Sequence, residues 1–280
     1  MARLLFEAHG KSGLSQGTSL TKKAGFTLVE LIAVIVIIGI ISALGTGFLI
    51  NVLKGNKVIE TRSSLVQRGN LIIEQMSRPL RMAVPNSVRV SASGNCIEYL
   101  PTVAASNYQG TVPDANNNRT AINSITAGAF NLGLGTPTQV VIAPFQTSEL
   151  YTSASPSARV ALGVLGGQPI STVPLASATI FLRNSPSQRF YLAANPERFC
   201  LVGTQLLRYN GYGFLTSAMS DNNPGGSSDL FGQNISTAAT VFSLSSGSQD
   251  RNAAVRIRLS ITLNSTTLGF NHEVLIRNVP

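Results

Sequence analysis

Hydrophobic and polar positions divide this chain into three unequal stretches. From Leu31 to Leu53 no side chain carries a charge, and at about 1.5 Å per helical residue the run extends roughly 34 Å, enough for a bilayer core. It predicts a membrane-crossing helix. After Lys54 the pattern changes: Val58, Leu65 and Ile72 recur every seven residues, and Met76 and Leu80 extend the stripe. Between them Lys54, Lys57, Arg62, Arg68, Arg78 and Arg81 outnumber Glu60 and Glu74. That is an amphipathic continuation of the same helix, with a face suited to covering its own domain's sheet. Pro79 and Pro85 predict a kink or stop between Ser77 and Val84, giving a helix of about 50 residues.

From Ala83 onward Ser, Thr, Asn, Gly and β-branched residues dominate, which predicts strands and loops. Val255 to Leu263 alternates strictly between apolar and polar, so one face is buried and the other wet, with Gly269 to Asn278 as its expected partner. Further strands are predicted at Ser87 to Ser91, Cys96 to Leu100, Thr138 to Ala143, Thr179 to Arg183, Gln188 to Ala193, Phe199 to Val202 and Gln205 to Tyr209. Asn210-Gly211 is a turn dipeptide. Val103 to Asn123 and Thr216 to Ser236 read as surface loops.

Four divisions follow: a leader (1–25), a membrane helix (26–53), an amphipathic helix (54–82) and a β-rich head (83–280) large enough for one core. The leader carries Arg3, Lys11, Lys22 and Lys23 against Glu7, which keeps the N-terminus in the cytoplasm, although Lys54 and Lys57 follow the span on the other side. A secretory signal peptide is the rival reading. Its apolar region is shorter and ends at a small-x-small site, whereas Ser42, Ala43, Gly45 and Gly47 lie inside this run.

Glu30 stands at the edge of the apolar stretch, where a lone carboxylate costs about 2 to 3 kcal/mol. Thr27-x-x-Glu30 fits a capping box, and an acid there also suits the helix dipole. An intermolecular role is equally open: cleavage after Gly25 would free the Phe26 amine, which a neighbouring copy's Glu30 would neutralise. Gly39, Ala43 and Gly47 recur every four residues and share a face on which helices can approach closely; a merely flexible span is the alternative.

The formal charge of +9 belongs in part to the leader and the amphipathic helix. What remains on the head is a small arginine excess without a basic cluster interleaved with aromatics, so no nucleic-acid partner is expected. Arg256 and Arg258 make a local patch only. Cys96 and Cys200 lie in predicted strands of an exported domain and form a disulfide in an oxidising compartment, with two buried thiols as the alternative. Closing so long a loop contributes about 4 to 5 kcal/mol in the chain-entropy model. His272 beside Glu273 is the one histidine after the leader, and P-loop, nucleophile-elbow, HExxH and CxxC patterns are missing, so no catalytic residue, no enzyme activity and no cofactor is expected. Asp114 with Asn116 to Asn118, and Asp221 to Gly226 with Asp229, offer oxygen ligands for calcium, but neither has the ligand periodicity of an EF-hand, and no metal site is assigned.

The run Gly25-Phe26-Thr27-Leu28-Val29-Glu30-Leu31, followed at once by an uncharged helix, resembles the processing site of type IV prepilins. The resemblance implies a type IV pilin-like α+β fold, a long N-terminal helix packed on a mainly antiparallel sheet. It implies that a prepilin peptidase cleaves between Gly25 and Phe26 and N-methylates Phe26, and that Glu30 guides docking among other pilins. Many major pilins carry a proline well inside this helix; here glycines stand instead. The segments Arg81 to Val90, Cys96 to Leu100, Arg189 to Leu192, Phe199 to Phe214 and His272 to Pro280 are similar to large minor pilins of the MshO type, found in the mannose-sensitive haemagglutinin (MSHA) pilus. These are related to PilW and to the J-type pseudopilin of type II secretion. That likeness implies a low-copy subunit that primes or caps a filament, with prepilin peptidase, major and other minor pilins, the inner-membrane assembly platform and the lipid bilayer as partners. It also implies a single-pass inner-membrane precursor with a periplasmic head that later joins a pilus. A secretion pseudopilus is the alternative within the family, and a membrane-anchored periplasmic binding domain or adhesin is the alternative outside it.

Overall fold

The computed structural model describes residues 25–117, 119–133, 135–236, 240–245, 247 and 252–276. The leader up to Ala24, Asn118 of one candidate calcium loop and the end of the last predicted strand, from Arg277, lie outside the described residues. Two compact units emerge, one ending at Asn56 and one running from Lys57.

In the first unit, helix α1 (Leu28–Arg81) begins immediately after the extended residues Gly25 to Thr27. None of its apolar side chains up to Leu53 is buried. The Thr46 hydroxyl, a polar group inside this apolar stretch, donates to the Ser42 carbonyl at 2.7 Å and so needs no water.

The second unit is α+β. It contains the remainder of α1, which buries Thr61, Leu65, Gly69, Ile72, Ile73, Met76, Ser77 and Leu80. Each fully buried aliphatic side chain in that row is worth about 1.5 to 3 kcal/mol. The buried hydroxyls of Thr61 and Ser77 donate to the carbonyls of Lys57 and Ile73, which removes their desolvation cost. The predicted stripe is displaced at its start: Val58 is exposed and Thr61 opens the buried face. Pro79 falls in the last turn, where its missing N–H ends the ladder, and α1 stops at Arg81 as the prolines predict.

Strands β1 (Arg89–Val90), β2 (Cys96–Tyr99), β3 (Thr102–Asn107), β4 (Ile122–Phe130) and β5 (Gln139–Ile142) precede a single-turn helix α2 (Thr147–Leu150). Then come β6 (Arg159–Ala161), β7 (Ile170–Thr179), β8 (Arg189–Ala193), β9 (Glu197–Val202), β10 (Gln205–Asn210), β11 (Ser227–Gly232), β12 (Phe242–Ser245), β13 (Ala253–Leu263) and β14 (Thr266–Ile276). They form sheets in the orders β1-β2-β9-β10-β11, β12-β13-β14, β3-β8-β5-β6 and β4-β7, and every strand pair is antiparallel. The first and third sheets are two ends of one ribbon. Chain continues from β2 through Pro101 into β3 while β8 continues through Pro196 into β9, so the two pairings share a register.

Alternation explains the layering. In β2 and β9, Ile97, Tyr99, Phe199 and Leu201 face α1 and join Leu65, Ile72, Met76 and Leu80 in the main core, together with Val255, Ile257, Leu259 and Ile261 of β13. Cys96, Glu98, Arg198 and Cys200 point to the opposite face, yet they too are fully buried, because a segment without regular structure covers them. A second core lies between β5 and β8 (Val140, Ile142, Phe190, Leu192) and the β4-β7 pair (Ile125, Val173, Leu175). At Gly69 α1 approaches β14 so closely that a Cβ would sit 2.1 Å from the Phe270 ring, which glycine alone avoids.

Several sequence expectations need correction. The region Thr179 to Arg183 is the end of β7 followed by an isolated bridge at Phe181, and the strand lies upstream. Pro174 obscured it; the β4-β7 pairing shifts register beside Pro174, which is where a ladder tolerates the missing N–H. The expected loop Val103 to Asn123 contains β3 and the start of β4, and Thr216 to Ser236 contains β11. The partner of β13 starts at Thr266, since Asn264 and Ser265, both at positive φ, make a two-residue turn.

Candidate functional site

The first candidate is the N-terminal junction. Gly25, Phe26 and Thr27 are exposed and non-helical, with Phe26 at 78% exposure, so the Gly25-Phe26 peptide bond is open to an enzyme. The Thr27 hydroxyl accepts the Glu30 amide at 3.3 Å and the Thr27 carbonyl accepts the Leu31 amide at 3.2 Å, which caps the first turn. The Glu30 carboxylate takes no part: it has no hydrogen-bond partner among the described residues and stands exposed on the first turn. A Cβ built on Gly25 meets nothing within 4 Å, nor does one on Gly39 or Gly47. Nothing in this chain's own packing requires glycine there, although each glycine in a helix costs about 0.5 to 1 kcal/mol relative to alanine. Gly39, Ala43 and Gly47 share one exposed face of α1.

The second candidate lies in the head, and only its cysteines were anticipated. Cys96 and Cys200 are joined in a disulfide, with Cα atoms 4.1 Å apart. They are directly opposite across β2 and β9 at a position without mutual backbone bonds, because the flanking Leu201 amide donates to Asn95, and such pairs bring Cα atoms closest. The same register sets Glu98 opposite Arg198. Glu98 Oε1 accepts Arg198 Nε at 3.2 Å, Arg198 Nη2 at 2.9 Å and the Tyr212 hydroxyl at 2.7 Å, while Oε2 accepts Arg89 Nε. Glu98 is wholly buried and the Arg198 side chain is 2% exposed.

The guanidiniums also hold the covering segment. Arg89 donates to the carbonyls of Leu215 (3.0 Å) and Ser217 (3.1 Å), and Arg198 to those of Ser220 and Asn222 (both 3.2 Å). Arg89 also stacks 3.7 Å over the Tyr151 ring, and Arg159 3.8 Å over Phe214. Burial raises the Tyr212 hydroxyl far above its ordinary value, and the Glu98 charge adds to that, so it remains a donor. Burial likewise raises Tyr151. The two cations and the anion of this cluster are engaged with one another and with carbonyls of the covering segment, which they tie to the sheet. The clue in the sequence was available: a Cys96–Cys200 pairing in antiparallel strands places Glu98 against Arg198.

The remaining candidates are scattered. Asp114 Oδ1 accepts the amides of Asn116 and Asn117, and Oδ2 accepts Asn184. Burial would raise the Asp114 carboxyl, but these hydrogen bonds outweigh it and hold the carboxyl below its usual range. Asp221 accepts Ser93 and Asn95, and Asp229 accepts Asn210 at 3.4 Å. In both candidate loops these aspartates accept hydrogen bonds from neighbouring groups, and among the described residues no three His, Cys, Asp or Glu side chains converge. His272 Nε2 is buried without a partner among the described residues, and Glu273 pairs with Arg256 at 3.4 Å, which neutralises half of the Arg256/Arg258 patch. The head's cavities measure about 270 Å³ at Asn86 and Phe145, 480 Å³ at Arg89 and Thr216, 360 Å³ at Arg256 and Glu273, and 260 Å³ at Arg68 and Phe231. The most charged of these holds one already paired Arg and Glu.

Comparison with known proteins adds one finding at the first site. The prokaryotic N-terminal methylation motif matches residues 20–46, a span that includes Gly25, Phe26, Glu30, Gly39 and Ala43. No curated protein and no solved structure matches the chain. The N-terminus is thus of type IV prepilin kind, which implies processing by prepilin peptidase and assembly with pilins, and the apolar helix behind it is of membrane-anchor type.

Proposed function

We propose that the chain is a minor pilin, similar to the MshO type, that primes or caps a type IV pilus of the MSHA kind. The observation that carries this is the junction itself: an exposed Gly25-Phe26 bond, a helix start capped by Thr27, and an exposed Glu30 carboxylate without a partner among the described residues, ahead of an unburied apolar helix. In the cytoplasmic-N-terminus orientation, prepilin peptidase removes residues 1–25 and methylates Phe26. The apolar half of α1, residues 26–53, then leaves the inner membrane for the filament core with the periplasmic head attached. There Glu30 meets the Phe26 amine of a neighbouring subunit and Gly39, Ala43 and Gly47 give a face for close helix contact. On this reading the head is structural rather than catalytic: Glu98 is held by Arg198, Tyr212 and Arg89, and the arginines in turn hold carbonyls of the covering segment.

The test is fractionation of sheared filaments from the native cell. The protein should be present in them at low copy and should co-purify with other minor subunits, and its deletion should reduce filament number. A protein that stays in the membrane fraction, with filaments unchanged by its deletion, contradicts the proposal; a defect in secretion with intact surface pili would reassign it to a pseudopilus.

A further inference from the structure

The geometry points to a gate over the disulfide: residues 212–222 form a strap that must lift before a thiol can reach Cys96–Cys200, and the Glu98 cluster sets how rarely it lifts. Both cysteines are completely buried. One face of their sheet is closed by α1 and the main core, so a thiolate can approach only from the other face, where Tyr212 and Met219 pack against the disulfide beside Tyr209.

The strap is held differently from everything beneath it. It pairs with no strand, and its backbone is tied down by side chains: Arg89 on Leu215 and Ser217, Arg198 on Ser220 and Asn222, with the Tyr212 hydroxyl on Glu98. Asn95 and Ser93 fasten Asp221. Releasing those bonds opens the strap without breaking any rung of β2, β9 or β10, which makes a local opening cheaper than global unfolding. Gly211 (φ 74°) on one side and Gly225 (φ 89°) on the other supply ends able to absorb the backbone change.

The chemistry fixes an order of events. In reduction by a dithiol, a thiolate attacks one Sγ and forms a mixed disulfide while the other cysteine leaves as a thiolate and takes up a proton. The second thiol of the reagent then closes its own disulfide and releases the first cysteine. The attack needs access to a sulfur on the face where Met219 and Tyr212 pack against the cluster of Cys96, Cys200 and Tyr209. Oxidation of the two thiols by a disulfide-bearing oxidoreductase runs through the same mixed disulfide in reverse, so it precedes strap closure.

The experiment measures the rate at which dithiothreitol reduces the full-length protein in detergent micelles under native conditions, read by alkylation and mass spectrometry. Tyr212→Phe keeps the ring on the disulfide and removes the bond to Glu98; Met219→Ala thins the cover and leaves the charges alone. Each should accelerate reduction about tenfold or more relative to wild type. Ile125→Val in the second core serves as a control, with global stability measured for all three by urea unfolding. The gate is overturned if reduction in both strap variants tracks global stability as the control does. It is equally overturned if the folded wild-type disulfide reacts as fast as it does in urea-unfolded chain.

Discussion

Replacing Glu98 by glutamine keeps the volume and polarity of the side chain but removes the one anion between two buried guanidiniums. In the folded head Glu98 is inaccessible to water, the Arg198 and Arg89 side chains are 2% and 13% exposed, and the carboxylate accepts from both arginines and from Tyr212. A glutamine oxygen can replace one carboxylate oxygen. Its NH2 group must then face an N–H donor on the other side, leaving either Arg89 or Arg198 without its acceptor and both without the Glu98 charge. Removing one partner from a buried ion pair costs about 3 to 5 kcal/mol. Urea unfolding of wild type and Glu98→Gln gives the difference from the shift in midpoint at constant slope. A double-mutant cycle with Arg198→Gln should show coupling above about 1 kcal/mol, since the two residues share bonds. Destabilisation of Glu98→Gln below about 1 kcal/mol would refute the assignment of the cluster as the head's anchor.

Three more outcomes are expected. Cys96→Ala with Cys200→Ala, which removes a link spanning 104 residues, should lower head stability by about 4 to 5 kcal/mol in urea unfolding, and a loss under about 1 kcal/mol would contradict it. Acid should weaken the head. Burial raises the carboxyls of Asp114, Glu149 and Asp221, but hydrogen bonds outweigh it, from Asn184 to Asp114, from Arg183 to Glu149 and from Ser93 and Asn95 to Asp221. A depressed folded pKa means their stabilisation is complete above the ordinary values of 3.8 and 4.5 and is lost as pH falls below them, so Glu149→Gln should show a shallower loss of thermal stability on acidification, and an unchanged acid profile would count against the Arg183 pairing. Glu30→Gln should insert and be cleaved normally, because the cap uses the Glu30 amide and not its carboxylate, yet enter filaments poorly; wild-type incorporation in sheared filaments would leave the carboxylate without an assembly role.

What the sequence disclosed follows from how much of each pattern is local. The α1 rod and β13 were legible because a charge-free run and a strict alternation are visible within one element, and the cysteine pair because redox compartment and strand placement both favour it. Strand β3 and the start of β4 fall in the loop expected at Val103 to Asn123: Thr102-Val103-Ala104-Ala105-Ser106-Asn107 has little apolar contrast, and it is a strand because β8 continues opposite it. The same holds for β11, whose exposed Ser227 to Leu230 depend on pairing with β10. Glu98 and Arg198 are charged residues of β2 and β9 on the face opposite α1. They are buried by a non-contiguous strap that no periodicity in β2 or β9 announces. The N-terminal methylation motif was legible because its signal lies in one short run of residues, and a glycine with open space around it carries no signal in the fold itself.

The most direct test of the account is the identity of the first residue of the mature protein in its native membrane. N-terminal peptide mapping by mass spectrometry should find a chain beginning at Phe26, bearing one methyl group on its amine, with Met1 to Gly25 gone. Cells lacking prepilin peptidase should yield only the uncut precursor. Recovery of the intact leader in cells whose peptidase demonstrably processes other prepilins would contradict the prepilin reading and, with it, the proposed place of this chain in a filament.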